Sequence, residues 1–285
     1  MSDNACITGP SADQVAADIE RAFTEDLGTG DVTAELLPLE AHAHAELTCR
    51  DNAVLAGSAW FDACFRRMDP QTRIEWFAQD GQRIAAGAIV CRLSGRARAL
   101  VSAERPALNF LQLLSATATA AAAYVEAVAG THVRLLDTRK TLPGLRLAQK
   151  YAVRCGGGRN QRMGLYDAIL IKENHITAAG SLAAAVQLAR RLHPSLPLEV
   201  EVENLEQLDE ALEASPDRIM LDNFSLSLLG EAVRITAGRI PLEASGNVDL
   251  HSIGDMARTG VDYISVGALT KHVRAIDLSL RLHLR

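Results

Sequence analysis

The pattern of apolar and polar positions changes near residue 131, and this change divides the chain into two parts with different patterns. Apolar positions between residues 13 and 26 follow helical spacing, and glycines after them predict the end of that helix. Residues 42–57 and 72–98 have strand-like patterns, and the intervening residues 58–67 favour a helix. These elements predict a small α+β domain of roughly a hundred residues.

A long helix is predicted next, from Ser102 to about residue 129, because this segment is rich in Ala and Leu with few interruptions. Pro106 marks either a kink or a new first turn. We find no apolar run of membrane-spanning length and no basic and apolar leader at the start of the chain. We therefore expect a cytoplasmic protein without a membrane partner.

Beyond residue 131, short β-branched runs alternate with helical stretches, which predicts parallel strands joined by crossover helices. Six runs are visible: Val133–Leu136, Ala168–Ile171, Leu198–Val202, Arg218–Leu221, Pro241–Ala244 and Tyr263–Val266. A polar residue or glycine follows each run, as at an active site built on strand ends. An open sheet would also bring ligand groups to its strand ends. Because six strands are fewer than eight, we expect an incomplete, irregular α/β barrel.

The two patterns predict two domains followed by a short C-terminal segment. Residues 1–115 would form the N-terminal α+β domain and residues 116–270 the catalytic α/β barrel. Residues 271–285 would return to the N-terminal domain.

Composition excludes several classes of protein. Hydrophobic residues make up 48% of the chain, enough for a substantial core, whereas aromatics make up only 4%, which argues against base-stacking platforms and a nucleic-acid partner. The five cysteines are odd in number and contain no C-x-x-C pair. A reduced cytoplasmic protein without a zinc site is the expectation.

Basic residues are concentrated in residues 134–172, which carry nine basic side chains against two acidic ones, or +7. Since the whole chain carries −6, the remaining residues sum to −13. Such a concentration in an acidic protein favours a small, highly anionic ligand. The alternative is a set of solvated, arginine-rich helix faces.

Four strand-end motifs carry candidate chemistry. Residues 137–141 send Arg139 and Lys140 out of one strand end together, suiting a carboxylate or phosphate. The glycine-rich loop 155–162 is expected to cradle an anion with its amides. Glu201 and Asp222 would face one another across a barrel mouth, to hold a divalent metal, bind sugar hydroxyls, stabilise positive charge or pair with neighbouring cations. His175 is either a general base or, more often for such a loop position, a structural hydrogen-bonding residue.

Taken together, the motifs resemble the quinolinate phosphoribosyltransferase family from about residue 12 to the end. They are Glu25-Asp-Leu-Gly-Thr-Gly-Asp-Val-Thr, Glu104-Arg-Pro-Ala-Leu-Asn-Phe-Leu-Gln, Leu136-Asp-Thr-Arg-Lys-Thr-Leu-Pro-Gly-Leu-Arg, Cys155-Gly-Gly-Gly, Leu170-Ile-Lys-Glu-Asn-His-Ile, Glu199-Val-Glu-Val-Glu, Met220-Leu-Asp-Asn, Leu242-Glu-Ala-Ser-Gly and Asp262-Tyr-Ile-Ser-Val-Gly-Ala-Leu-Thr. The resemblance implies an N-terminal open-faced α+β sandwich, an incomplete α/β barrel and a homodimer with shared active sites, or a hexamer. It also implies the reaction of quinolinate with phosphoribosyl pyrophosphate, with Mg²⁺, to give nicotinate mononucleotide, pyrophosphate and CO₂ in NAD biosynthesis.

The resemblance further implies residue roles. Arg105 of the partner subunit would join Arg139, Arg162 and Lys172 at the carboxylates of quinolinate, and Lys140 would bind the phosphorylated ribose, with Thr138 as a further substrate-binding residue. Glu201 and Asp222 would handle ribose hydroxyls and Mg²⁺, and together with Lys140 and Lys172 they are the candidate catalytic residues. The 5′-phosphate would meet the amides of Ser245, Gly246, Asn247, Val266, Gly267 and Ala268. The family pattern reads Asn-His-Arg where this chain has Asn160-Gln161-Arg162, so Gln161 is a candidate contact that departs from it.

Three other functions stay open from the residues. A related transferase could act on a different acceptor, as in the molybdenum-transport-associated type, and Gln161 is the residue that favours it. Lys172 at a strand end would suit a Schiff-base lyase. A non-catalytic anion-binding dimer is the third.

Overall fold

The computed structural model describes residues 9–284, so Cys6 lies outside the described residues. Contacts divide the chain into two compact units. The first consists of the residues up to Ala122, Leu142–Gly157 and the segment from His272 onward. The second consists of Ala123–Thr141 and Gly158–Lys271. The domain boundaries given above stay a prediction.

The first unit contains a four-stranded antiparallel sheet, in the order β12-β1-β5-β3, and a two-stranded sheet of β2 and β4. Its strands are β1 (His42–Cys49), β2 (Ala53–Val54), β3 (Arg73–Trp76), β4 (Arg83–Ile84), β5 (Ile89–Arg96) and β12 (Leu278–Leu284). Its helices are α1 (Ala12–Asp26), α2 (Ser58–Met68), most of α3 (Ala97–Ala127) and α4 (Arg146–Cys155), with a 3₁₀ turn at Ala34–Leu36. The α1 and α2 predictions are confirmed.

Alternate side chains of a strand point to opposite faces of its sheet, and in β1 one of these two sets is buried. In β1 the buried set is Ala43, Ala45, Leu47 and Cys49. The C-terminal strand β12 pairs antiparallel with β1 along its whole length. The sheet therefore depends on residues more than two hundred positions apart.

Helix α3 begins five residues earlier than predicted and continues through Pro106. It is long and apolar enough to cross a bilayer, since an 18-residue window has a mean hydropathy of 1.2. The expectation that no apolar run reaches this length is therefore wrong for α3. Because 56% of that window is buried inside the structure, α3 has the burial of a core helix in a globular protein.

The second unit contains one all-parallel sheet of six strands, in the order β6-β11-β10-β9-β8-β7. The strands are β6 (Arg134–Leu136), β7 (Ile169–Ile171), β8 (Leu198–Val202), β9 (Arg218–Asp222), β10 (Leu242–Ser245) and β11 (Tyr263–Ser265). Helices separate most of them: α5 (Glu173–Ala179), α6 (Leu182–Leu192), α7 (Leu205–Ala214), α8 (Leu226–Thr236), α9 (Ile253–Arg258) and α10 (Ala268–Lys271). All six predicted strands are confirmed, each within one residue at either end.

The parallel sheet is an incomplete barrel because its two edge strands, β6 and β7, are not paired with each other. Arg159, in the segment before β7, forms an isolated parallel bridge with Leu136 of β6. This segment donates from Arg159 N to Leu135 O at 2.8 Å and accepts at Arg159 O from Asp137 N at 3.1 Å. A short piece of irregular chain thus continues the sheet where a further strand would otherwise lie.

Candidate active site

A cavity of about 530 Å³ opens at the carboxyl ends of the six parallel strands. Its lining comprises Thr138, Arg139, Lys140, Gln161, Arg162, Leu170, Lys172, Glu201, Met220, Asp222, Asn223, Glu243, Ser245, Gly246, Asn247 and Ser265. Thr138 follows β6 and Lys172 follows β7, although these are opposite edges of the sheet. The sheet is therefore curled so that all six strand ends meet, and the cavity has the size of a small-molecule site.

Four cations line the cavity: Arg139, Lys140, Arg162 and Lys172. Burial, followed by the charge of Arg139, lowers the pKa of the Arg162 guanidinium, and nearby carboxylates oppose this effect. The Nε of Arg162 is buried and donates to no acceptor among residues 9–284. Two adjacent guanidiniums with an unused buried donor form a site for an anion with several oxygens.

Only four of the nine basic residues in the 134–172 window therefore reach this cavity. Arg146, Lys150 and Arg154 lie in α4 of the first unit, where Lys150 is fully buried. The concentration of basic residues in 134–172 predicted an anion site, but five of these nine residues do not line the cavity.

Two carboxylates at strand ends, Glu201 and Asp222, face the cations, while the third carboxylate of the lining, Glu243, is bound by Arg218. The ammonium of Lys172 donates to Glu201, whose side chain is 14% exposed, while Lys172 is 46% exposed. Asp222, at the end of β9, accepts from Asn223 Nδ2 at 2.9 Å. Within the described chain no group of three or more His, Cys, Asp or Glu side chains is placed to hold a metal ion. The protein alone thus offers one pair of carboxylates rather than a closed metal cage.

The loop after β10 is held against the loop after β9. Asn223 N donates to Ser245 O at 2.9 Å, and Asn247 Nδ2 donates to Asn223 Oδ1 at 3.4 Å. Gly246 has φ +103°, and a Cβ there would collide with the Asn223 side chain and lie 3.0 Å from its backbone nitrogen. Both the left-handed backbone and the close approach require glycine.

Gly246→Ala is expected to displace the 245–247 loop and reduce turnover, since the strained backbone alone costs about 1–3 kcal/mol. Steady-state kinetics and the melting temperature measure the effect. Gly230→Ala is the matched control, because Gly230 lies within α8 with nothing within 4 Å of an added Cβ. Equal activity of the two variants would contradict this account of the loop.

A second pair of strand ends positions Lys140. Lys140 N donates to Thr138 Oγ1 at 3.0 Å, and Thr270 Oγ1 donates to Lys140 O at 2.8 Å. A Cβ on Gly267 would lie 2.9 Å from Lys140 Cδ, so glycine leaves room for the lysine stem. Val266 N donates to Leu136 O at 2.9 Å, which uses the Val266 amide in strand pairing. Val266, Gly267 and Ala268 are not among the residues that line the cavity, although Gly267 lies next to Lys140, which does.

Gln161 is fixed at two points. Its backbone N donates to Asp137 Oδ1 at 2.9 Å, and its side-chain Nε2 donates to Glu199 Oε2 at 3.0 Å. Asp137 is fully buried and also accepts from Asn160 Nδ2 at 2.6 Å. The Asp137 carboxylate thus anchors the segment that spans the gap between β6 and β7.

Glu199 belongs to a buried acidic pair with Glu243. Burial first, and then the charge of Glu243 and hydrogen bonding to it, raise the pKa of Glu199 well above its usual range. Arg218 Nη1 donates to Glu243 Oε2 at 3.0 Å, and the Arg218 guanidinium lies 4.2 Å from the ring centroid of Tyr263. The positive charge of Arg218 opposes the rise in the pKa of Glu199.

The structure places other sequence candidates elsewhere. Arg105 is exposed on α3 and does not line the cavity. His175 Nδ1 accepts from Lys172 N at 3.0 Å at the start of α5, which is the structural role. The glycine-loop expectation is wrong for residues 156–158, because none of them lines the cavity. Gly156 instead packs against α3, where an added Cβ would meet Ala118 and Ala121. Only Gln161 and Arg162 of that loop reach the cavity.

The sequence reasoning missed five lining residues: Leu170, Met220, Asn223, Glu243 and Ser265. Four of them lie on strands: Ser265 at the strand end, Leu170 one position before it, and Met220 and Glu243 two positions before it. Two of these, Met220 and Glu243, lie on the same strand face as the strand-end residues Asp222 and Ser245, so strand alternation is the signal that finds them. Asn223 has φ 56°, and asparagine after a strand is a frequent occupant of such a backbone. Ser265 Oγ is buried and has no hydrogen-bond partner among the described residues.

These features define a class. A parallel α/β barrel whose cavity brings four cations together with carboxylates at the strand ends is an enzyme scaffold for small, strongly anionic substrates.

The comparisons with known proteins specify the family. Residues 31–115 match "Quinolinate phosphoribosyl transferase, N-terminal domain" and residues 117–281 match "Quinolinate phosphoribosyl transferase, C-terminal domain". The structure of the nicotinate-nucleotide pyrophosphorylase from Francisella tularensis is 46% identical with a TM-score of 0.95, covering 97% of this chain and 99% of that one. The chain belongs to the quinolinate phosphoribosyltransferase family.

Two curated relatives agree. A Bacillus subtilis (strain 168) protein named "Probable nicotinate-nucleotide pyrophosphorylase (carboxylating)" is 40% identical over 259 residues, which cover 90% of each chain. A Nicotiana glauca protein named "Quinolinate phosphoribosyltransferase (decarboxylating) 2, mitochondrial" is 39% identical, covering 93% of this chain and 81% of that protein.

Proposed function

We propose that this chain transfers the phosphoribosyl group of phosphoribosyl pyrophosphate to quinolinate with loss of CO₂, giving nicotinate mononucleotide in NAD biosynthesis. The observation that carries the proposal is the meeting of four cations with the strand-end carboxylates Glu201 and Asp222 in one cavity of a chain that matches the family along its length. The cations suit a dicarboxylate and a pyrophosphate ester, and the carboxylates suit the positive charge that develops between them.

The acceptor would bind on the arginine side of the cavity. Arg139, Arg162 and Lys172 would contact the two carboxylates of quinolinate, and the unused Arg162 Nε supports this assignment. Arg105 of the partner subunit would add a fourth cation in a homodimer with shared sites, or in a hexamer built from such dimers. The exposure of Arg105 on α3 is compatible with that role.

The donor would bind at the loops on the other side. Lys140, held by Thr138, would contact the phosphorylated ribose. The 5′-phosphate would meet the loop Ser245–Asn247 and the turn at Gly267 and Ala268. The close packing at Gly246 and Gly267 keeps these loops in place for the phosphate.

The chemistry needs electrostatics more than proton transfer. As pyrophosphate leaves, the ribosyl C1′ becomes oxocarbenium-like, and Glu201 and Asp222 would stabilise that charge while orienting the ribose hydroxyls. The pyridine nitrogen of quinolinate then forms the bond to C1′ and becomes cationic. That charge stabilises the carbanion left at C2 when CO₂ departs, and the carbanion takes up one proton, supplied in the end by solvent, to give nicotinate mononucleotide. The protein therefore mainly has to orient the ring and shield the ribosyl cation from attack by water.

Magnesium is the proposed cofactor. The donor set fits it, because Mg²⁺ in phosphate-transfer sites is held by one or two carboxylates together with substrate phosphates, and Glu201 and Asp222 supply such a pair. When bound, the ion would neutralise charge on the leaving pyrophosphate.

The rival functions lack a supporting observation. A Schiff-base lysine has to present an unpaired amine to a carbonyl, whereas the Lys172 side chain donates to Glu201 and is half exposed. The hypothesis of a different acceptor substrate depends on Gln161 alone. The deciding assay follows release of CO₂ and pyrophosphate from quinolinate, with nicotinate as the comparison acceptor. Turnover of nicotinate but not quinolinate would overturn the proposal.

We also propose a cytoplasmic location. The four described cysteines are free and buried, and burial raises the pKa of the Cys64 and Cys155 thiols to about 12. Buried, unpaired thiols are compatible with a reducing compartment. Fractionation of the native host cells tests the assignment.

Gln161→His is expected to remain active with quinolinate, because an imidazole N–H can also donate at this position. Gln161→Ala is expected to raise the KM for quinolinate by an amount consistent with a lost hydrogen bond of about 0.5–1.5 kcal/mol. KM and kcat measured from pH 6 to pH 8 compare both variants with wild type. If the wild type ignores quinolinate and Gln161→His gains activity, the substitution marks a change of acceptor.

A further inference from the structure

Gln161 lines two cavities. One is the 530 Å³ cavity described above, and the other, of about 320 Å³, is lined by residues around the amino ends of β7, β8 and β9. Glu199 lines only the second. Gln161 therefore lies between the strand-end cavity and this second cavity, and it donates from Nε2 to Glu199 Oε2 at 3.0 Å.

Glu199 has a fixed position from which to act. It is the second residue of β8, with Leu170 of β7 and Arg218 of β9 as its register partners, and is 8% exposed. Glu243 of β10 is fully buried beside it and is bound by Arg218. Arg162 contributes positive charge from the loop side. The neighbouring strands thus fix the backbone of Glu199, and its buried side chain lies beside the Arg218–Glu243 ion pair.

We infer that Glu199 is a positioning residue that orients the Gln161 side chain towards the acceptor carboxylates without touching the substrate. The inference rests on the proposed function. A glutamine side chain has three rotatable bonds, and ordering it on binding costs affinity. Asp137 fixes the backbone of Gln161 and Glu199 fixes its side-chain amide, so the Gln161 side chain is ordered before quinolinate binds.

The test is a double-mutant cycle with quinolinate affinity as the readout. Glu199→Leu keeps the size of the side chain but removes the hydrogen-bond acceptor for Gln161. It is expected to raise the Kd and KM for quinolinate about 3- to 10-fold. The kcat and the KM for phosphoribosyl pyrophosphate should change little. In a Gln161→Ala background the same change is expected to have no further effect on quinolinate, because the group it positions is gone.

A conservative variant and a control separate positioning from general destabilisation. Glu199→Gln keeps an acceptor for Gln161 and a donor for Glu243, so the quinolinate KM is expected within about twofold of wild type. Glu210→Gln, on the exposed face of α7, is the control for a glutamate-to-glutamine change. Melting temperatures are recorded for every variant, since a purely structural role would lower them and affect both substrates alike.

The outcomes are distinct. Additive effects of the Glu199 and Gln161 changes, or a Glu199→Gln defect as large as that of Glu199→Leu, would overturn the positioning role. Titration calorimetry measures quinolinate binding apart from turnover. Unaltered binding in Glu199→Leu would overturn this inference alone, whereas a wild type that neither binds nor converts quinolinate would overturn the proposed function and the inference with it.

Discussion

Arg105→Ala is expected to abolish phosphoribosyl transfer to quinolinate, although Arg105 lies on α3 in the first unit and does not line the cavity. The reason is that the partner subunit's Arg105 would complete the cationic side of each site. A guanidinium that binds a carboxylate through two parallel hydrogen bonds is not replaced by water when the acceptor is enclosed. Release of CO₂ from labelled quinolinate measures the loss.

Hybrid dimers test whether the site is shared. When Arg105→Ala subunits are mixed with Lys172→Ala subunits, one of the two sites in each hybrid combines an intact barrel with an intact Arg105. Random pairing of equal amounts should then restore about a quarter of the wild-type activity, because half of the dimers are hybrids with one good site. Verified hybrids without recovery would show that Arg105 acts within its own subunit or not at all.

The fold could be predicted where local pattern decides it. The six parallel strands were found because buried strands are short apolar runs between helices, as at Leu198–Val202. The pairing of β12 with β1 and the membership of Leu142–Gly157 in the first unit depend on contacts between distant residues. Local propensity does not encode such contacts. The bridge of Arg159 to β6 is likewise invisible in the sequence, since that segment has no strand pattern.

The sequence predicted those site residues that lie at the ends of the parallel strands. Arg139, Lys172, Glu201 and Asp222 meet in one cavity because parallel strands end on one side. Interior residues were missed because attention to strand ends overlooks the layer beneath them, where Glu243 lies.

Two further errors have physical causes. Three successive glycines suggested an anion cradle, but Gly156 is required by close packing against α3. Asp137 was counted as a charge in a basic window, whereas its buried carboxylate organises Asn160 and Gln161. In both cases the same residue type serves packing or hydrogen bonding instead of a ligand, and only the three-dimensional contacts distinguish these uses.

Removal of Glu201 or Asp222 is expected to lower the rate of the chemical step by about 10²–10³, the usual loss for one well-placed electrostatic group. Quinolinate affinity should change little in Asp222→Ala. In Glu201→Ala it should hold or rise, because Lys172 loses the carboxylate to which it donates and becomes available to the acceptor. Single-turnover rates and quinolinate Kd values separate the two effects.

Glu203→Ala is the matched control, since Glu203 is exposed just past the end of β8 and lies outside the cavity lining. It should retain wild-type rates and affinity. The opposite pattern in Glu201→Ala or Asp222→Ala, weak quinolinate binding with intact single-turnover chemistry, would assign that carboxylate to the acceptor. A loss of rate with affinity retained follows from an interaction made only as charge develops on the ribose, because uniform binding of ground and transition states leaves kcat unchanged.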